Sequence, residues 1–154
     1  MHQYIEPFIE VCTLVFKKMA QCDLTAGRAY FIAREDFQNW DISGLISLSG
    51  ETRGLVAISM KTETAIRITE NITGKKHTYL DSDVIDAIGE IVNIVAGNVK
   101  QKLQDMFKLA LSLPYVIKGK AHMIALPRER RRLLCIPFTA FEDQIICLSI
   151  AIDS

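Results

Sequence analysis

Asp86, Glu90, Asn93, Gly97, Lys100 and Gln104 follow one another at spacings of 4, 3, 4, 3 and 4 in a stretch otherwise rich in valine and isoleucine. On a helix that register is one continuous polar stripe. Glu90 and Asn93 are neighbours on it, about 5–6 Å apart at Cβ. A carboxamide both donates and accepts hydrogen bonds, so it can hold a water, and a carboxylate can pair with a lysine. No His or Cys stands beside them to make a nucleophile–base pair. The pair suits a reaction whose electrophile and metal come from a partner. Most polar stripes are merely solvated, but three details point to docking. Asn is a poor helix-interior residue. Gly97 costs about 1 kcal/mol relative to Ala and leaves the backbone open to close approach. Ile94 is an apolar residue on the flank of the stripe.

The helix that carries the stripe is predicted to begin near Asp81 or Asp83, both good N-caps, and to run to about Phe107. Val84, Ile88, Ile91, Val92, Val95 and Val99 form its core-facing side. An earlier helix is predicted from Ile5 to Gln21, with Ile5, Phe8, Cys12, Val15 and Met19 on one stripe and Pro7 in the first turn. A strand is expected at Ala29–Ala33. Ile42–Ser49 and Gly54–Met60 read as a hairpin closed by Gly50-Glu51-Thr52-Arg53-Gly54. A shorter helix follows, with Thr62 as N-cap and Gly74 as its stop. Extended segments are expected at Tyr115–Lys118 and Ala121–Leu126. In a last hairpin Leu134, Ile136, Phe138 and Ala140 point inward opposite Ile146, Leu148, Ile150 and Ile152, with Glu142-Asp143 at the turn. Pro137 places its strand at an edge or a bulge. The order helix, strand, hairpin occurs twice, which suggests a structural pseudo-repeat.

The 154 residues carry 18 basic and 18 acidic side chains, so no global field draws in nucleic acid or an acidic membrane. Four arginines around one glutamate, Arg128-Glu129-Arg130-Arg131-Arg132, read as a solvated loop without aromatic interleaving. Uncharged stretches such as Ile91–Val99 reach nine residues, about half a membrane span. No signal peptide is visible at the start, and a cytoplasmic location is expected. Cys12, Cys22, Cys135 and Cys147 lie in apolar patterns with no Cys-x-x-Cys, as buried free thiols would. His2, His77 and His122 are read as lacking a second ligand at metal spacing, so no zinc or haem site is expected. Neither nucleic acid nor membrane is expected as a partner.

Asp86-x-x-x-Glu90-x-x-Asn93, followed by Gly97, Lys100 and Pro114, resembles the helix motif of the CheC/CheX/FliY phosphatases of bacterial chemotaxis. The run Asp83–Asn98 is most similar to the CheX branch. Tyr4–Glu10, Gly54–Ser59 and Ser112–Gly119 also look CheX-like, so the similarity extends from about Ile5 to Ile152. The resemblance implies an α+β fold, a mainly antiparallel sheet packed against two long helices plus a shorter one, in one domain over residues 1–154. It implies hydrolysis of the aspartyl-phosphate of a CheY-type response regulator. Glu90 would salt-bridge the regulator's active-site lysine and Asn93 would position the attacking water. Asp86, Ile94, Gly97 and Lys100 are the expected docking contacts around them. Mg²⁺ would belong to the regulator, leaving this chain with no cofactor or metal of its own, and a homodimer joined through sheet edges is implied. CheC-like members carry a second motif on the first helix. Here that stretch is Glu6-x-x-x-Glu10-x-x-Thr13, with Thr in place of Asn, so one active face is expected. The alternatives are a non-catalytic module that binds a regulator or flagellar component, and a hotdog-type acyl thioesterase, whose sheet-wrapped helix fits a broad polar stripe poorly.

Overall fold

Alternation of inward and outward residues along Ile42–Met60 and Leu133–Ile152 builds two antiparallel hairpins, and these form the centre of the computed structural model. The structure describes residues 2–32, 38–124 and 132–152. Its elements in chain order are α1 (His2–Ala20), β1 (Thr25–Ala26), β2 (Tyr30–Ile32), β3 (Trp40–Gly50), β4 (Gly54–Met60), α2 (Thr62–Thr73), α3 (Ser82–Lys102), β5 (Leu109–Leu111), β6 (Tyr115–His122), β7 (Leu133–Ala140) and β8 (Gln144–Ile152). The sheet has eight strands in the order β1-β7-β8-β4-β3-β5, with β2 also on β7 and β6 also on β3. Every pairing is antiparallel. The order reads the same from either end. The β3–β4 and β7–β8 hairpins meet through β4 and β8, and two short strands or a split edge flank each. This α+β architecture matches the expected fold class, and it carries the helix–strand–hairpin repeat at the level of topology.

The helices cover one sheet face. Ile42, Ile46, Val56, Ile58, Ile136, Phe138, Ile146 and Leu148 point into that core, together with Phe8, Val11 and Cys12 of α1 and the apolar side of α3. Gly44 sets how closely α3 lies on β3. A Cβ there would meet Val92 Cγ1 at 3.0 Å and the Ile88 carbonyl at 3.2 Å, so only glycine admits the helix at this height. On the opposite face Ser43 bonds Ser59 at 2.6 Å and His122 Nε2 at 2.7 Å. Gln38 donates to the Ile124 carbonyl there.

Several expectations need correction. α1 begins at His2, so Pro7 stands in its second turn and deprives the Gln3 carbonyl of its helical donor. Thr62 is the first helical residue of α2 rather than its cap. Lys61 is the N-cap, and the capping acceptor comes from β3, where the Asp41 carboxylate accepts from both the Thr62 N–H at 2.8 Å and its hydroxyl at 2.9 Å. α3 stops at Lys102, short of Phe107. The apolar rhythm continues through buried Leu103, but the Phe107 N–H turns back to the Leu103 carbonyl at 2.8 Å. Phe107 thereby reaches the Tyr4 ring, centroids 5.6 Å apart, and the chain enters β5, a strand not foreseen. β6 extends to His122, past the expected Lys118. Pro137 lies on an internal strand: β7 is flanked by β8 and by β1 and β2. The ring is accommodated where β1 and β2 part, and there the Pro137 carbonyl accepts from Gly27 at 2.7 Å, so no donor is missed on that side. Ala33, Ala125, Leu126 and Arg128–Arg131 lie outside the described residues.

Candidate functional site

α3 owes its rotation to burial. Val84, Ile88, Ile91, Val92, Val95 and Val99 are all buried, each worth roughly 1.5–3 kcal/mol relative to exposure. No plausible polar gain would turn that side outward. At 100° per residue the opposite side must then face solvent. Asp86, Glu90, Asn93, Lys100 and Gln104 are exposed, and Gly97 is half-buried. Among the described residues no hydrogen bond or ion pair engages the side chains of Asp86, Glu90, Asn93 or Lys100. A Cβ added at Gly97 would meet nothing within 4 Å among them, so internal packing gives no reason for glycine there.

The start of α3 is fixed by a small polar lock. Asp81 is the N-cap, its Oδ1 accepting from the Val84 N–H at 3.0 Å. Its Oδ2 lies 2.8 Å from His77 Nδ1, and His77 Nε2 lies 3.0 Å from the Thr73 hydroxyl at the end of α2. These partners assign the ring hydrogen to Nδ1 and leave Nε2 to accept from Thr73. The His77 N–H donates to Glu70. Hydrogen bonding from His77, then from the Val84 N–H, holds the Asp81 carboxyl below the usual carboxylate value. The expectation that no histidine has a ligand partner is therefore overturned. His77, Asp81 and Asp83 bring three ligand atoms within 4.8 Å of one another. In this structure, however, the His77 ring and Asp81 are already engaged in joining α2 to α3. The signal was present in the sequence as His77-x-x-x-Asp81.

Ile94 stands on the flank of the polar stripe, on the side of α3 that faces α1. It is half-buried against the core edge and lines a groove of about 450 Å³ between α3 and α1, with Val11, Leu14, Val15 and Met19 opposite. On α1 the corresponding face is occupied differently. Glu10 pairs with Lys102 at 2.9 Å, and Thr13 stands where α3 has Asn93. The Ser43–His122 pair has the spacing of a nucleophile and base, but Ser43 is fully buried, so no substrate reaches it. All four cysteines are buried and free, and burial pushes the Cys12 thiol up to about 12.

An antiparallel sheet with three helices on one face, one of them presenting an unpartnered Glu-x-x-Asn pair, defines a CheC/CheX-like protein. The family described as "Chemotaxis phosphatase CheX" matches residues 42–139, and the chain belongs to that family. It is 26% identical over 112 residues to the CheY-P phosphatase CheX of Thermotoga maritima, covering 71% of this chain and 70% of that protein. The crystal structure of the chemotaxis protein CheX from Vibrio vulnificus superposes with a TM-score of 0.89 at 29% identity, over 98% of this chain and 99% of that one. A CheX-CheY-BeF3-Mg+2 complex from Borrelia burgdorferi shares the fold, with a TM-score of 0.82 at 23% identity over 98% of both chains. Among the described residues no helix is long and apolar enough to cross a membrane.

Proposed function

We propose that this protein hydrolyses the aspartyl-phosphate of a CheY-type receiver domain, with Glu90 and Asn93 entering the receiver's active site. The observation that carries the reading is the side-by-side display of Glu90 and Asn93 on the exposed face of α3, free of internal partners. Family membership and the CheY-P phosphatase activity for which the Thermotoga relative is named support the substrate class. In this mechanism Glu90 pairs with the receiver's lysine and fixes the register. The Asn93 amide donates to and accepts from one water, holding it in line with the phosphorus. The water oxygen bonds to phosphorus as the bond to the aspartyl oxygen breaks, releasing the carboxylate and inorganic phosphate. The transition state of phosphoryl transfer is loose, so orientation suffices and no strong base is needed. Mg²⁺ resides on the receiver, and this chain supplies no metal or cofactor. Asp86, Gly97 and Lys100 flank the pair and meet the receiver's rim, and the working unit is a homodimer in the cytoplasm.

The test is the acyl-phosphate lifetime of candidate receiver domains with and without the protein. A shortened lifetime with catalytic turnover is expected. Binding to the phosphorylated receiver with an unchanged lifetime would instead establish a non-catalytic module.

A further inference from the structure

We propose that the apolar groove between α1 and α3 is the specificity surface for the receiver. It seats an amphipathic surface helix of that domain, one apolar ridge bordered by acidic side chains, beside the phosphorylated aspartate. This inference rests on the function proposed above. The first observation is continuity. The groove opens at Ile94, the residue after Asn93, and extends past Asn98 to Gln101 and Lys102. At 1.5 Å per residue that reaches about 13 Å along the helix from the catalytic asparagine. A folded domain of 100 residues has a radius of gyration of about 13 Å, so one that sets its phosphoryl group on Asn93 overhangs this distance.

The second observation is the exposure pattern. Leu14 is 53% exposed although its helix neighbours Val11 and Val15 are buried, and it stands across the groove from Ile94. The α3 side of the groove is formed by Ile94, Asn98, Gln101 and Lys102. A raised leucine facing half-buried Ile94 over buried Val11 and Val15 makes a channel of the kind that accepts a helix ridge.

The third observation is charge. Lys18 and Lys102 line the groove, Lys17 borders its α1 side, and Lys100 stands on α3 beyond Gly97. Lys102 is paired with Glu10 at 2.9 Å and Lys17 lies 4.0 Å from Asp23, so the unpaired positive charge beside the groove, among the described residues, is that of Lys18 and Lys100. Unpaired lysines beside an apolar floor select a ridge with acidic borders. On α1 itself Glu10 is tied down by Lys102 and Thr13 is short, so that helix offers no second Glu–Asn pair.

The experiment measures KM and kcat for receiver dephosphorylation by wild-type protein, Leu14→Asp and Lys18→Glu, with thermal melts and oligomeric state alongside. Leu14 and Lys18 are exposed, so both variants are expected to fold. Leu14→Asp is expected to raise KM about tenfold or more, since it sets a charge on the apolar floor. Lys18→Glu should raise KM less, with a shallower salt dependence of KM than wild type. In both, kcat at saturation stays near wild type. Unchanged KM in folded Leu14→Asp, with wild-type turnover intact, overturns the groove assignment and leaves the proposed function standing. A change of oligomeric state with unchanged KM gives the groove to a second copy of the chain and also overturns it. If the wild-type protein neither binds nor dephosphorylates any receiver, both readings fall together.

Discussion

Replacing Gly97 by alanine should make the protein more stable and a poorer phosphatase at once. Gly97 sits inside α3, and a Cβ there meets no described atom within 4 Å. The fold therefore has nothing to lose by the methyl group. The helix gains the ordinary difference in propensity, about 0.8–1 kcal/mol. Unfolding entropy of about 2.1 cal/mol/K per residue gives roughly 0.3 kcal/mol/K for a 154-residue chain, so Tm should rise by about 3 °C. If the receiver packs over α3, the same methyl intrudes at a contact fitted to bare backbone, where added methylenes typically cost about 1–3 kcal/mol. KM for the phosphorylated receiver should rise accordingly, by about fivefold to more than a hundredfold, and Gly97→Leu should raise it further. Thermal melts and steady-state dephosphorylation assays read the two effects separately. A lower Tm for Gly97→Ala would show that α3 is packed there. A raised Tm with an unchanged KM would show that no partner approaches Gly97 closely.

Glu90→Ala should leave stability within about 0.5 kcal/mol of wild type, because the side chain is exposed and unpaired, while raising KM by more than tenfold. Wild-type KM in this variant removes Glu90 from the docking pair. Asp41→Ala should lower stability by about 1 kcal/mol at neutral pH, since it strips the only side-chain acceptor found at the start of α2 among the described residues. Burial raises the Asp41 carboxyl, but bonds from Thr62 and the charges of Lys61 and Lys120 outweigh it and leave it below the usual 3.8. The stabilisation is therefore present above pH 3.8 and lost as pH falls through the lower folded value, so denaturant melts of wild type and variant should converge in acid. A constant gap between them across that range contradicts the capping role.

Most features whose partners are local in sequence are legible there, the His77–Asp81 pair being the exception, and those whose partners come from elsewhere are not. The α3 core stripe, the Asp81 cap, the Gly74 stop and both hairpins follow from periodicity and turn chemistry, and all appear at the expected positions. Asp41 capping α2 and Gly44 admitting α3 are long-range facts with no local signature. The end of α3 was misplaced because Leu103 keeps the apolar rhythm while the chain turns to bring Phe107 onto Tyr4. Pro137 pointed to an edge because the sequence does not show that β1 and β2 share one side of β7 and part at that residue. At the candidate site, the exposed register of Asp86, Glu90 and Asn93, with half-buried Gly97 on the same stripe, is legible on a helical wheel. Ile94 was placed on the flank of the polar stripe, but its burial is shared with α1, a neighbour that the wheel of one helix does not show. Leu14 passed unnoticed for the same reason.

The central claim is that Asn93 orients the attacking water, and the most direct measurement is kcat of Asn93→Ala at saturating receiver. Affinity for a receiver carrying a stable phosphoryl mimic is measured in parallel. Asn93 is exposed and makes no internal hydrogen bond, so alanine should cost no stability and add about 0.5 kcal/mol of helix propensity. The account predicts kcat lower by about a hundredfold or more, the scale on which misplacing a reacting group acts, with affinity within a few-fold of wild type. Near-wild-type kcat in the folded variant would contradict the account. Lost affinity with normal turnover of the bound complex would also contradict it, moving Asn93 from chemistry to recognition.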